Sequence, residues 1–237
     1  MGRVVSLWSG PRNRSTALMY SVAQREGVQV VDEPLFGHYL ALTGARRPSR
    51  DEVLAVQETD PAALLPVLQP RTEDRFLKHM ACHLRGWAPE VFADHVHVLL
   101  IRDPAAVVAS YRKGVLRPTL EDLGCAWQAH WWRVCRSAGW PVHVLDSDRL
   151  VEAPEEGLKA LCRACGWEWD ERMLRWEPGP RPEDGVWTKR WYGGVHASSG
   201  WAANRAPQPA VELSETERAL VRACREHHDA LQQHAMN

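Results

Sequence analysis

The feature that most constrains this chain lies near its start. Val4, Val5, Leu7 and Trp8 form an apolar run suited to a buried strand, Gly10-Pro11 breaks it, and Ser15-Thr16 stands where a helix begins before Ala17-Leu18-Met19-Tyr20. Strand, tight loop and helix in that order aim free backbone N–H groups and the positive end of a helix dipole at one point, which suits phosphate or sulfate. The candidate anion loop therefore runs through Gly10, Pro11, Arg12, Asn13, Arg14, Ser15 and Thr16, with two arginines and two hydroxyls in it. The plain structural alternative is an ordinary turn carrying a solvated arginine pair.

A second junction has the same form. Val96-His-Val-Leu-Leu-Ile-Arg102 reads as an apolar strand, and Asp103-Pro104 opens a helix with a cap residue and a first-position proline. Arg102 and Ser110 lie eight residues apart. A strand-end arginine and a serine two helical turns along can reach one phosphate from two sides.

Further strands are expected near Arg3 to Trp8, Val28 to Asp32, Phe76 to Met80 and Val142 to Leu145. Helices are expected after Thr16, around Asp51 to Leu68, from Ala105, from Leu120 to Ala138, from Pro154 to Cys165 and from Ser214 onward. Strands alternating with helices predict an α/β fold: a three-layer, mainly parallel sheet flanked by helices, with ligands at the carboxyl ends of the strands. Glu177 to Pro209 is rich in Pro, Gly, Ser and Trp and lacks periodicity, so it reads as a long ordered loop or lid.

The 237 residues suffice for one domain spanning the whole chain. With 29 Lys and Arg against 30 Asp and Glu, no broad basic face for nucleic acid is expected, and any positive charge must be local. No apolar run approaches membrane length, so neither a membrane nor a nucleic-acid partner is expected and the protein is placed in the cytoplasm. Six cysteines without a secreted pattern suggest a reducing compartment. Cys162 and Cys165 fit a helix that stops at Gly166, and Trp127, Trp131 and Trp132 form a helical stripe, so packing is the reading for both. A homo-oligomer is compatible with the chain.

A nucleotide triphosphatase loop needs Gly-Lys-Ser or Gly-Lys-Thr four residues after its first glycine, whereas Ser15 and Thr16 stand there. The loop instead resembles the 5′-phosphosulfate-binding loop of sulfotransferases that use 3′-phosphoadenosine 5′-phosphosulfate (PAPS), which reads roughly Pro-Lys-Ser-Gly-Thr-Thr or Arg-Ser-Gly-Thr-Thr. Arg12 takes the cation position, Ser15 and Thr16 the hydroxyl pair, and Arg14 the place of the usual glycine, a departure. Arg102 and Ser110 resemble the family's 3′-phosphate motif, an Arg-Asn-Pro followed by a helical serine. Lys189-Arg190-Trp191-Tyr192-Gly193-Gly194 and Ser198-Ser199-Gly200-Trp201 resemble its C-terminal cofactor segment, which implies Lys189 or Arg190 over the 3′-phosphate. Cytosolic members place a tryptophan after the threonine pair, where this chain has Ala17, leaving Trp187, Trp191 or Tyr192 as adenine platforms.

The resemblance implies a P-loop-like fold, PAPS as donor with adenosine 3′,5′-bisphosphate as product, no metal, and transfer of a sulfuryl group to a hydroxyl or amine of a small-molecule acceptor. Such a transfer needs a base for the acceptor proton and cations for the shifting negative charge. Glu33 or His79 can be the base; Arg12, Lys78 and Arg14 can be the cations. Golgi-type members carry a strand-end glutamate, often as Glu-Pro, matching Glu33-Pro34, whereas cytosolic ones use Lys-x-His. Lys78 and His79 are adjacent, so strand alternation turns them to opposite faces and favours Glu33. On this reading Arg12→Ala lowers turnover more than cofactor affinity, and Arg102→Ala mainly lowers affinity. A nucleotide-dependent kinase and a non-catalytic nucleotide- or sulfate-binding protein of the same fold are the alternatives.

Overall fold

The computed structural model describes residues 2–115, 117–201 and 212–236. Strands β1 (Val4–Ser9), β2 (Val28–Asp32), β3 (Asp74–Met80), β4 (His95–Ile101) and β5 (Val142–Asp146) form one sheet in the order β2-β3-β1-β4-β5. Every neighbouring pair is parallel, so the expected α/β sheet is the observed one. The central β1 is buried along its whole length, which is why its sequence is a continuous apolar run instead of an alternating one.

The helices are α1 (Ser15–Val22), α2 (Phe36–Thr43), α3 (Arg50–Val56), α4 (Pro61–Leu68), α5 (Pro104–Tyr111), α6 (Leu120–Leu123), α7 (Cys125–Ala138), α8 (Ser147–Glu152), α9 (Pro154–Cys165), α10 (Thr188–Trp191), α11 (Gly193–His196) and α12 (Glu215–Gln232). One face of the sheet, through Val5 and Leu7, packs on Leu18 and Met19 of α1 and Leu158 and Leu161 of α9. The other, through Val4 and Trp8, packs on Leu68 of α4, Trp131 and Cys135 of α7 and Leu231 of α12. Three layers follow, with Cys162 and Cys165 buried in the α9 layer.

Several expectations need correction. The single helix expected around 51–68 is two, because the Asp60 side chain accepts from Ala62 N at 3.0 Å and Pro61 opens α4. The helix expected over 120–138 breaks at Gly124, whose φ of 71° ends α6. Short helices α2 and α8 follow β2 and β5 where none was anticipated. The late segment folds into α10 and α11 with Trp187, Tyr192 and Trp201 buried, while residues 202–209 of the expected lid lie outside the described residues. Cys125 and Cys224, 99 residues apart, are joined by a disulfide between α7 and α12, a pairing that the reading of a reducing compartment did not anticipate. Among the described residues no helix is long and apolar enough to cross a membrane.

On the α7 side of the sheet lies a buried group of histidines. His79 stacks on Trp8 with ring centroids 4.2 Å apart. His95 Nδ1 lies 2.8 Å from Ser6 Oγ and Nε2 lies 2.7 Å from the Leu68 carbonyl. His97 Nδ1 accepts from the Trp8 indole at 3.1 Å and from the Trp131 indole at 3.4 Å. Burial holds His79 well below the usual imidazole range and pulls His95 down to about 4 and His97 to about 3.

Candidate active site

The carboxyl ends of the strands border a cavity of about 1030 Å³. Its floor includes the loop between β1 and α1, where Arg12 has φ 62° and Arg14 φ 64°, two side-chain-bearing residues in left-handed backbone. Packing fixes this shape. A Cβ on Gly10 would come within 2.4 Å of the Leu123 carbonyl oxygen, so the end of α6 sits directly on the loop. Asn13 is buried and donates to the Leu100 carbonyl at 2.8 Å, which ties the loop to β4. Gly10 and Asn13 thus shape the loop from behind, while Pro11, Arg12, Arg14, Ser15 and Thr16 line the cavity. Arg14 caps α1 without a side-chain hydrogen bond to its first turn, so that turn presents backbone N–H groups to the site.

The second junction closes over the first. Arg12 Nε donates to Ser110 Oγ at 3.0 Å and Nη1 to the Trp191 carbonyl at 3.1 Å. Arg102 Nη1 donates to the Arg12 carbonyl at 2.8 Å. Arg12, Arg102 and Ser110 therefore form one basic corner, and burial lowers the pKa of both arginines, with Arg14 adding its repulsion at Arg102. Arg12, expected to serve the transferring sulfuryl group, lines the cavity with its guanidinium bonded to Ser110 and the Trp191 carbonyl.

Across the cavity, Lys78 is 1% exposed and surrounded by acceptors. Its Nζ donates to Asp32 Oδ1 at 2.8 Å, Glu33 Oε1 at 2.5 Å and the Tyr192 hydroxyl at 2.7 Å. Tyr192 in turn donates to Asp32 Oδ2 at 2.7 Å and accepts from the Trp187 indole at 3.2 Å. Burial disfavours the charge on Lys78, but the two carboxylates overcome it and raise its pKa well above the usual lysine value. Burial and, less strongly, Asp32 push the Glu33 carboxyl up while Lys78 pulls it down, and the rise prevails. Glu33 has φ 44°, and its N–H donates to the Lys78 carbonyl at 2.8 Å, so the turn after β2 is pinned to β3.

Glu33, Lys78, Arg12, Arg14, Ser15, Thr16, Arg102 and Ser110 all reach this one cavity. His79 points to the opposite face against Trp8, as strand alternation implies. Lys189 and Arg190 are exposed on α10 and do not line the cavity. Trp187 and Tyr192 belong to the Lys78 cluster and Trp191 stacks on Tyr111 with centroids 5.6 Å apart, and all three candidate adenine platforms line the cavity. Trp176 and Trp201 do pack in one cluster with Ala17.

Sequence reasoning missed four polar residues here. Asp32 carried a signal, being the last strand residue before Glu33. Asp148 follows the end of β5 and accepts from Arg14 Nη1 at 2.5 Å. Arg47 and Asp122 form an ion pair at the cavity wall. Arg47 comes from a loop, Asp122 from α6 and Asp148 from α8, and no periodicity records the approach of these segments to the site.

Comparison with known proteins agrees with this geometry. Residues 3–235 match the sulfotransferase domain family. Among solved structures, the sulfotransferase domain from the Synechococcus PCC 7002 olefin synthase is similar with a TM-score of 0.57 at 16% identity, covering 94% of each chain. The sulfotransferase from Alicyclobacillus acidocaldarius gives 0.55 at 12% identity, covering 98% of this chain and 97% of the other. These two share the fold. Two Arabidopsis thaliana proteins, branched-chain-amino-acid aminotransferase-like proteins 1 and 2, are 36% identical over 215 residues and 35% identical over 204. The matches cover 89% and 84% of this chain but only 39% and 36% of those proteins, so the chain spans well under half the length of these relatives. A parallel sheet in P-loop-like order, a basic corner and a lysine-carboxylate cluster at its strand ends, and a domain match over nearly the whole sequence lead to one conclusion: the chain belongs to the sulfotransferase family.

Proposed function

We propose that the protein transfers a sulfuryl group from PAPS to a hydroxyl or amine of a small-molecule acceptor. The observation that carries the reading is a single cavity with Arg12, Arg102 and Ser110 at one corner and Glu33 with Lys78 at another. The residues present suit the donor. Guanidinium groups and a hydroxyl converge where a 3′-phosphate needs them, and the first turn of α1 with Ser15 and Thr16 offers donors to a 5′-phosphosulfate. Trp176 and Trp201 line the same cavity and offer flat aromatic surface to a heterocycle.

The donor, when bound, supplies an activated sulfuryl group on its phosphosulfate. Glu33 is the base: its raised pKa brings it closer to the working pH of a general base than an exposed carboxylate would be. An ammonium has three N–H bonds, and Lys78 commits all three, to Asp32, Glu33 and Tyr192. A hydroxyl that approaches Glu33 Oε1 therefore competes with Lys78 for that oxygen. When it wins, Glu33 receives the acceptor proton and one Lys78 N–H turns to the sulfuryl oxygens, so base and cation are released together. Phe36, Met80, Cys82, His83 and Trp187 line the cavity with Glu33, and the cavity volume lies near the upper end of the roughly 300–1,000 Å³ usual for small-molecule sites, which supports a compact acceptor.

The test is calorimetric titration with adenosine 3′,5′-bisphosphate in EDTA, with AMP and magnesium-ATP as controls. The expected result is bisphosphate binding that Arg102→Ala removes. A preference for magnesium-ATP would instead support the kinase alternative and overturn the proposal.

A further inference from the structure

Arg14 is the residue that the family resemblance leaves unexplained. It stands in left-handed backbone, φ 64°, where glycine would be unstrained. A side chain kept at such a position needs surroundings that over-determine it. Its guanidinium has them: Nη1 donates to Asp148 Oδ1 at 2.5 Å and to the Ser147 carbonyl at 3.1 Å. The same Asp148 oxygen lies 3.5 Å from Arg102 Nε. Its other oxygen accepts from the Asp103 backbone N–H at 3.2 Å, directly after Arg102. Asp148 itself is set by its own N–H donating to Asp146 Oδ1 at 2.8 Å, at the start of α8.

We propose that Arg14 and Asp148 are positioning residues for Arg102, the shared carboxylate aiming the Arg102 guanidinium at the 3′-phosphate of the donor; this rests on the PAPS reading above. Arg102 is held by an ion pair of Nε with Asp148 at 3.5 Å and by the hydrogen bond of Nη1 to the Arg12 carbonyl at 2.8 Å. Among the described residues Nη2 makes no hydrogen bond and Nη1 makes one, so the guanidinium keeps donors for a ligand in the cavity that Arg102 lines. Three guanidinium groups, from Arg12, Arg14 and Arg102, meet in this corner, and Asp148 is the carboxylate that pairs with two of them. Without it Arg14 and Arg102 repel, and Arg102 loses the contact that sets its plane. Arg14 is then a clamp on Asp148, which explains an arginine at a glycine-like position.

The idea separates cleanly from simple charge counting. Asp148→Asn removes a negative charge, so electrostatics alone predicts tighter anion binding, whereas positioning predicts weaker binding confined to the 3′-phosphate. The experiment measures affinity for adenosine 3′,5′-bisphosphate and for AMP in the wild type, Asp148→Asn and Arg14→Gly, with Tm recorded for each. Asp148→Asn is expected to lower bisphosphate affinity on the order of tenfold, the scale of one misplaced charge-assisted contact, while AMP changes less than about twofold. Arg14→Gly is expected to lower bisphosphate affinity without lowering Tm, because it also relieves the left-handed backbone; this variant decides the matter should Asp148→Asn fold poorly. Unchanged or tighter bisphosphate binding in both variants, or equal losses for both ligands, overturns the proposal. A wild type that does not distinguish bisphosphate from AMP overturns the PAPS reading and this inference with it.

Discussion

Mild acidification should destabilise this protein well before its carboxylates titrate. His95 and His97 are neutral in the fold with pKa values of about 4 and about 3, against 6.5 when exposed. A base whose folded pKa is depressed binds fewer protons folded than unfolded. Its contribution is complete above 6.5 and is lost as the pH falls from there toward the folded value. At about pH 5 each of the two costs ~2 kcal/mol, so the pair removes ~4 kcal/mol from a total that for domains of this kind is roughly 5–15 kcal/mol. His79 and His83, also held well below the usual range by burial, act in the same direction. Glu33 opposes them, since a raised carboxyl gains protons in the fold first. Urea unfolding followed by tryptophan fluorescence between about pH 7 and pH 5 measures the slope. His95→Gln keeps an acceptor for Ser6 and a donor for the Leu68 carbonyl without titrating, and it should flatten the slope by the ~2 kcal/mol share of that residue. Stability that stays level across this range, or a slope that His95→Gln leaves untouched, would refute the assignment of neutral buried imidazoles.

Three further outcomes follow from the site. Glu33→Gln should lower kcat by on the order of 10²–10⁴ while Tm holds or rises, because it removes a carboxylate whose ionisation burial disfavours; sulfuryl transfer from PAPS and a thermal melt read the two effects. Tyr192→Phe removes the hydroxyl shared by Lys78, Asp32 and Trp187 and should cost about 1.5–3 kcal/mol in chemical denaturation, with kcat falling as Lys78 loses its fixed position. Gly10→Ala should cost about 1–3 kcal/mol, because its Cβ meets the Leu123 carbonyl at 2.4 Å; an unaltered Tm would show that α6 yields freely.

The strands were legible because β1 and the end of β4 are apolar runs and the others carry apolar residues bounded by loop residues, and the junctions at Gly10 and Asp103-Pro104 carried their own punctuation. The division of 51–68 was also written in Asp60-Pro61, a cap and a first-position proline whose force the apolar stretch around them obscured. The break at Gly124 was not, since glycine inside a helical pattern acquires φ 71° only through its setting. Lys78 and His79 show alternation resolving a choice between neighbours. Arg12 shows its limit: the side chain's reach to Ser110 and Trp191 depends on a left-handed backbone angle that no spacing rule supplies. Asp148, Arg47 and Asp122 were silent because their partners lie far along the chain, and only the assembled sheet brings them together.

The Lys78 cluster also bears on the order in which the molecule matures. Asp32 and Glu33 lie 46 and 45 residues before it, but the Tyr192 hydroxyl lies 114 residues after it. A chain emerging from the ribosome can pair β2 with β3 and neutralise the lysine long before its third hydrogen bond exists. The nascent sheet would then carry an ammonium with one N–H still turned to water, an early species already holding the lysine-carboxylate pairs but not yet the wall formed by Trp187 and Tyr192. Chemical competence would arrive as a late docking event, and amide exchange in α10 and α11 should run ahead of exchange in β3.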